Sequence, residues 1–350
     1  MAANPLLFQP ISFRSVTARN RIAVAPMCQY SAEDGTGNDW HVLHLGARAH
    51  GGAGIVMVEA TAVADIARIT PGCLGAYSPE HAAVLKRLAG VIAASGAVPA
   101  IQIAHAGRKA SCRLPWEGGT PIAPDEGGWV PVGPSPVPFT PGAVDPIQLS
   151  HTDIAGIAAS FAATAKMALE AGFKIVEIHG AHGYLAHSFL SPISNQRNDQ
   201  YGGDFTGRAR FLMETLDAVR EVWPAELPLF VRLSCVDYLE GGLTIDDTVE
   251  VSRILKARGD VDLIDCSSGG VSPDARIPSL HPGYQVPFAD AIRHRAGIPT
   301  GAVGLITKAE HAEEILGNQR ADLIFLARVL LGDPSWPIRA AMTLGAKPPV

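Results

Sequence analysis

Short apolar runs, bounded by polar, glycine-rich or proline-rich segments, recur eight times along the chain. They are RIAVA at 21–25, GIVMVE at 54–59, VPAIQI at 98–103, IVEI at 175–178, LFVRL at 229–233, LIDC at 263–266, TGAV at 300–303 and LIFL at 323–326. Continuous runs of this length fit strands buried on both faces, as in a parallel sheet. Between them the apolar positions change to a helical spacing. Ser78 before Pro79 predicts a helix start; Val84, Leu85, Leu88, Val91 and Ile92 share one face, and Gly96 predicts the stop. Asp153 predicts the start of a second helix, with Ile154, Ile157 and Phe161 on one stripe and Gly172 at its end. Phe211, Leu212, Leu216 and Val219 repeat the pattern before Pro224. Thr307-Lys308-Ala309-Glu310 reads as a capping box ahead of Ile315 and Leu316.

Eight strand-then-helix alternations predict the α/β class, as a single (β/α)8 TIM barrel spanning residues 1–350. An open doubly wound sheet is the alternative. No GxGxxG follows any predicted strand, which weakens a dinucleotide-binding version of it. The one long excursion, 107–150 after the third strand, is rich in proline and glycine. In a barrel it is expected on the C-terminal face, over the active site.

Composition narrows the class. With 47% hydrophobic and 18% charged residues, the chain reads as globular with a large core. A net charge of −6 argues against nucleic acid or an anionic membrane as the main partner. No run of consecutive apolar residues reaches the length of a bilayer span. The N-terminus, MAANPLLFQPISFRS, lacks the build of a signal peptide. The cysteines Cys28, Cys73, Cys112, Cys235 and Cys266 form no CxxC pair and suit free thiols, hence an expected cytoplasmic location.

In a barrel, chemistry collects where strands end on the C-terminal face. The first strand ends in Ala25-Pro26-Met27-Cys28-Gln29-Tyr30, a thiol and a phenol that serve equally as packing groups. Gln102 inside the third apolar run needs a partner, either backbone or the amide-like edge of a heterocycle. The fourth strand ends in His179-Gly180-Ala181-His182-Gly183-Tyr184. A metal site there would need a third ligand. Two donors to a substrate oxygen, with Tyr184 as a neutral acid, is the more natural use, and a plain polar loop is the bland one. His41 and His44 read as one turn of a helix, not a site. Arg232 in the fifth run must meet an acid or an electron-rich ligand. Gly304 and Ala327-Arg328 follow the seventh and eighth strands, where barrels bind phosphate.

Together these residues suit a flavin mononucleotide with a substrate stacked on it. The chain resembles the Old Yellow Enzyme family of FMN-dependent ene-reductases, in its cysteine-bearing bacterial branch with the xenobiotic reductases. The segments that carry the resemblance run from about residue 6 to about residue 340: APMCQYSAEDG, VEATAV, RITPG, IQIAHAGRKAS, EIHGAHGYLAHSFLSPISNQRNDQYGG, FVRLS, DLIDCSSGG, PGYQVPFA, GAVGLIT and ADLIFLAR. The resemblance implies an NADPH (or NADH) dehydrogenase with non-covalent FMN. It would reduce the C=C bond of electron-poor alkenes such as enones, maleimides and nitro compounds in a ping-pong cycle. Ala25, Pro26, Met27 and Cys28 would line the flavin, with the Cys28 thiol tuning it. Ala60 and Gln102 would contact its ring system, and Arg232 its N1/C2 oxygen edge. Gly304, Ala327 and Arg328 would hold the phosphate. His179 and His182, helped by Tyr30, would bind the substrate oxygen, and Tyr184 would donate the proton. No metal is implied, and a homodimer or homotetramer is.

Three positions depart from the family pattern. Ala327 stands where a glycine is usual. Asp204 and Gly207-Arg208 replace a serine and an Asn-Arg, which predicts altered loop bonding. Relatives often end in a short tail that reaches a neighbouring subunit's site, whereas this chain stops at Lys347-Pro348-Pro349-Val350, either trimmed or lacking that element. Two other classes remain: a flavin-free barrel lyase or aldolase, for which none of the eight predicted strands carries a lysine, and a non-catalytic barrel.

Overall fold

The computed structural model describes residues 4–349. The eight apolar runs form strands β1 (Ile22–Val24), β2 (Ile55–Ala62), β3 (Val98–Ala104), β4 (Ile175–Gly180), β5 (Leu229–Ser234), β6 (Leu263–Ser267), β7 (Thr300–Ala302) and β8 (Leu323–Leu326). Each pairs in parallel with its sequence neighbours, and β8 closes on β1. The result is the (β/α)8 barrel that the alternation predicts, and the open sheet is excluded.

The outer helices are α1 (Asp39–His50), α2 (Pro79–Ala94), α3 (His151–Ala171), α4 (Phe205–Val222), α5 (Ile245–Arg258), α6 (Val286–Ala296), α7 (Ala309–Gly317) and α8 (Trp336–Thr343). Two expected starts shift. Helix α3 begins at His151 because the Ser150 hydroxyl accepts from the Asp153 N–H and the Asp153 carboxylate answers at the Ser150 N–H. Asp153 is therefore the third helical residue rather than the first. The Thr307 box does not form. The helix is preceded by Lys308 with no side-chain cap, and the Thr307 carbonyl is taken by the Trp336 indole at 2.9 Å. Helix α3 also has the length and mean hydropathy of a membrane span, because Ala and Thr dilute its large apolar residues without making it polar. It buries Ile154, Ala158, Phe161, Ala165 and Ala168 along one stripe, and packs against α2, α4 and β3.

Side chains alternate across a strand, so every second residue enters the barrel. Ile55, Ala100, Ile175, Phe230, Leu263 and Leu323 make an apolar floor. A hairpin, Ile11–Phe13 with Val16–Ala18, plugs the N-terminal end, where the Phe13 and Phe230 rings meet edge-on at 5.0 Å. Two residues further along β3, β4, β5 and β6 the interior turns polar: Gln102, Glu177, Arg232 and Asp265. Two further still lie His179, Ser234 and Ser267, at the C-terminal mouth.

The segment 107–150 folds as three single helical turns, Gly107–Lys109, Pro115–Glu117 and Pro124–Glu126, and a short pairing of Val132–Gly133 with Ile147–Gln148. Arg108 ties it to the loop after β6, donating to the Val271 carbonyl as well as to Val137 and Pro138.

Candidate active site

The polar layer has a defined pairing. Arg232 Nε lies 3.0 Å from Asp265 Oδ2, and the two residues are register partners on β5 and β6. Gln102 Nε2 donates to Glu177 Oε1 at 2.7 Å, also between register partners. Of the two partners the sequence allows Arg232, an acid is therefore present. One N–H of the Gln102 amide is given to Glu177, which leaves its second N–H and its carbonyl oxygen for a ligand. Glu177 Oε2 and Asp265 Oδ1 are buried without a hydrogen-bond partner among the described residues. Burial, reinforced by Asp265, pushes Glu177 up to about 8, and burial, opposed by Arg232, raises Asp265 to about 6.

Both folded values lie above the ordinary carboxyl values, so the native state binds more protons than the unfolded one between roughly pH 4 and 8. Stability from these groups is complete below that window and falls as pH rises through it. Glu177→Gln removes the larger shift. Its melting temperature should exceed that of the parent at pH 8 and approach it at pH 5, measured by circular dichroism. A constant difference across that range would show that Glu177 does not titrate in the window.

The mouth carries the imidazole–phenol cluster. His179 and Tyr184 ring centroids are 4.9 Å apart, His179 and His182 5.1 Å, and His182 and Tyr184 6.5 Å. His179 Nδ1 accepts from the Ala181 N–H at 3.2 Å, so its Nε2 carries the ring proton. Burial, with Arg232 adding to it, holds both histidines well below the usual imidazole range and therefore neutral. Burial raises the Tyr184 phenol well above its ordinary value, so it keeps its proton. A short helix, Leu185–Leu190, starts just after Tyr184.

The turn bearing these groups is strained, and it is braced from behind. His182 sits at φ +59°, a left-handed conformation that non-glycine residues rarely adopt. A Cβ on Gly183 would come within 2.1 Å of the Gly270 carbonyl. The Gly183 N–H donates to His187 Nδ1 at 2.7 Å, and His187 Nε2 lies 2.9 Å from Asp237 Oδ1, both side chains fully buried. Lys109 Nζ donates to the carbonyls of His182 and Gly270, and stands 5.2 Å from the Tyr184 ring centroid. Burial lowers this ammonium to about 8. Sequence reasoning assigned no role to His187, Asp237, Lys109, Glu177, Asp265 or Ser267. For Glu177, Asp265 and Ser267 a signal existed, because alternation from Ile175 and Leu263 points them inward. For His187 and Asp237, which are far apart in sequence, it did not.

After β1 the chain passes from Ala25 through Pro26 and Met27 to Cys28 and Tyr30. Tyr30 has φ +52° and meets Trp116 of the insertion edge-on at 6.0 Å. A hydrogen bond to Cys73 and burial push the Cys28 thiol well up, and the same bond lowers Cys73 to about 7. Behind them the buried Glu59 accepts from the Gln29 N–H at 3.1 Å, in the strand that also carries Ala60. His41 belongs to α1, as the helix-turn reading expects. It caps the helix with Asn38 and lies 3.7 Å from Glu59.

Beyond β7 and β8, Tyr284, Gln285, Gly304, Leu305, Ala327 and Arg328 line a cavity of about 100 Å³. Gly304 has φ +122°, and a Cβ there would press on Gln285 at 3.2 Å. The N–H groups of Gly304, Arg328 and Val329 have no acceptor among the described residues. Converging N–H groups beside an exposed guanidinium fit a phosphate, and unpaired polar atoms under the mouth fit a flat heterocycle with donors and acceptors on its edge. The altered loop after Tyr201 keeps its bonds: Asp204 caps α4 by accepting from the Gly207 N–H at 2.8 Å. A Cβ on Gly207 would come within 2.2 Å of the Gly202 carbonyl.

A parallel eight-stranded barrel with a small cavity and unpaired N–H groups after β7 and β8, and neutral imidazoles and a phenol at its mouth, fits the class of flavin-dependent oxidoreductase barrels. The chain belongs to the NADH:flavin oxidoreductase / NADH oxidase family, whose model matches residues 6–346. This is the family of Old Yellow Enzyme, and its members use FMN with NAD(P)H. The NADPH dehydrogenase of Geobacillus sp. (strain WCH70) is 50% identical over 342 residues, covering 97% of this chain and 95% of that protein. The NADPH dehydrogenase of Listeria innocua serovar 6a is 46% identical over 341 residues, covering 97% and 95%. Among solved structures, morphinone reductase superposes with a TM-score of 0.81 at 27% identity, over 99% of this chain and 91% of that one. A 2-naphthoyl-CoA reductase superposes at 0.87 and 28% over 97% of this chain, which spans 52% of that protein's length. The chain is therefore an enzyme, which sets aside the flavin-free lyase and the non-catalytic barrel.

Proposed function

We propose that this enzyme reduces the C=C bond of electron-poor alkenes, enones, maleimides and nitroalkenes among them, at the expense of NADPH. The observation that carries this reading is the trio of neutral donors His179, His182 and Tyr184 at the barrel mouth, with ring centroids 4.9 to 6.5 Å apart. Bound FMN would supply the hydride relay, taking a hydride from NADPH and passing it to the alkene in a ping-pong cycle. Ala25, Pro26, Met27, Cys28, Ala60, Gln102 and Arg232 would hold its ring, and Gly304, Ala327 and Arg328 its phosphate. The Arg232 guanidinium would favour negative charge at the edge it faces.

His179 and His182 would donate to the carbonyl or nitro oxygen of the substrate, with Tyr30 assisting. Neutral donors at the mouth stabilise the enolate-like charge that develops there. Tyr184, kept protonated by burial, would deliver the proton to Cα. The Cys28 thiol, paired with Cys73, would adjust the flavin's potential. Five free cysteines support a cytoplasmic location, and the family resemblance supports a homodimer or homotetramer.

The test is the visible spectrum of the purified protein, titrated anaerobically with NADPH and then with 2-cyclohexenone. A flavin band that bleaches with NADPH and returns with the enone is expected. A band that bleaches and returns only with oxygen would leave an NADPH oxidase and end the alkene reading.

A further inference from the structure

His182 is the most constrained residue of the site. Its strained backbone is held at both ends: its N–H donates to Ser234 Oγ at 2.9 Å, and its carbonyl accepts from Lys109 Nζ at 2.8 Å. With the backbone fixed, the ring meets one protein partner, Ser267 Oγ, at 2.6 Å from Nε2. Nδ1 has none among the described residues and is the ring nitrogen left for a ligand. What Nδ1 can do then depends on where the Ser267 proton goes. If Ser267 donates to Nε2, Nδ1 carries the ring proton and is a donor. If Ser267 accepts from Nε2, Nδ1 is a bare lone pair and repels a substrate oxygen.

We propose that Ser267 is a positioning residue that sets the tautomer of His182, donating its hydroxyl proton to Nε2 and leaving the ring proton on Nδ1. The competing acceptor for that hydroxyl is Gln285 Oε1, and it is already engaged. Ser268 Oγ lies 2.5 Å from it, whereas Ser267 Oγ is 3.4 Å away. The Tyr238 hydroxyl donates to Ser268 Oγ at 3.0 Å, which turns the Ser268 proton toward Gln285. A 3.4 Å contact is at the limit of a hydroxyl hydrogen bond, and a 2.6 Å contact is a strong one. The chain Tyr238–Ser268–Gln285 thus frees Ser267 to serve His182. His179 reaches the complementary state by a different route, since Ala181 occupies its Nδ1 and leaves Nε2–H outward. The mouth then presents two neutral N–H donors from opposite ring positions.

This inference rests on the reading that His182 donates to the substrate oxygen, but its test does not require turnover. The FMN-loaded enzyme, labelled with ¹⁵N-histidine, gives long-range ¹H–¹⁵N correlations that distinguish the protonated from the bare ring nitrogen. The His182 signals are identified by their loss in His182→Asn. In the parent enzyme the proton should sit on Nδ1. Ser267→Ala should move it to Nε2 or average the two, Ser267→Thr should keep it, and the KM for 2-cyclohexenone should rise about tenfold in Ser267→Ala, the effect of one hydrogen bond. A parent spectrum with the proton on Nε2 overturns the proposal, as does an unchanged tautomer in Ser267→Ala. Should Ser267→Ala fail to fold, the parent and Ser267→Thr spectra still decide. If Nδ1 is protonated as expected yet no alkene is reduced, the alkene reading fails and the positioning role stands.

Discussion

Tyr184→Phe is expected to slow reoxidation of the reduced enzyme by 2-cyclohexenone by about 10²- to 10³-fold, the scale of a lost general acid. Reduction by NADPH should change by less than about twofold, because hydride arrival from the nicotinamide needs no proton from this phenol. The ring is held edge-on to His179 at 4.9 Å, a contact phenylalanine retains, so the deletion removes the proton and little else. Stopped-flow absorbance resolves the two half-reactions separately. Equal slowing of both would assign Tyr184 to packing or nucleotide binding, and unchanged reoxidation would place the proton donor elsewhere, with solvent as the first candidate.

The second large effect is structural. Arg232→Met leaves Asp265 and Glu177 buried in one layer with no cation between them. Breaking a buried pair at one partner typically costs about 3–5 kcal/mol. In a domain of this size that corresponds to a melting temperature lower by roughly 5–10 °C at pH 8. The deficit should shrink at pH 5, where the two carboxyls are protonated in the native state and need no counter-charge. Arg232→Lys should lose less, since charge is kept and only the fork geometry goes. An Arg232→Met protein that melts with the parent at pH 8 would show that the ion pair adds no net stability to the fold.

Other parts of the site act by bracing rather than by contact. Asp237 and His187 hold the Gly183 N–H, and Lys109 holds the His182 carbonyl, so the donors are fixed before any substrate arrives. Left-handed backbone at His182 is the strain this bracing sustains.

The sequence by itself determined the eight strands, their parallel order and the residues at their C-terminal ends. Runs buried on both faces are readable without tertiary information, and sequential parallel strands leave few ways to close. It also determined His179, His182 and Tyr184 as a group, because one turn of chain carries all three. It misplaced the start of α3 and the cap of α7, where Ser150 and Trp336 compete for the backbone groups that local spacing assigns differently. Only the tertiary structure decided that Arg232 meets Asp265, that Gln102 gives one amide N–H to Glu177, that Asp237 braces His187, and that Ser267 reaches His182. Each of those contacts joins different strands or loops, and the distances involved are set by barrel closure and strand register. Spacing along one segment carries no record of either, and so the identity of the site's chemistry was legible while the partners that hold its protons in place were not.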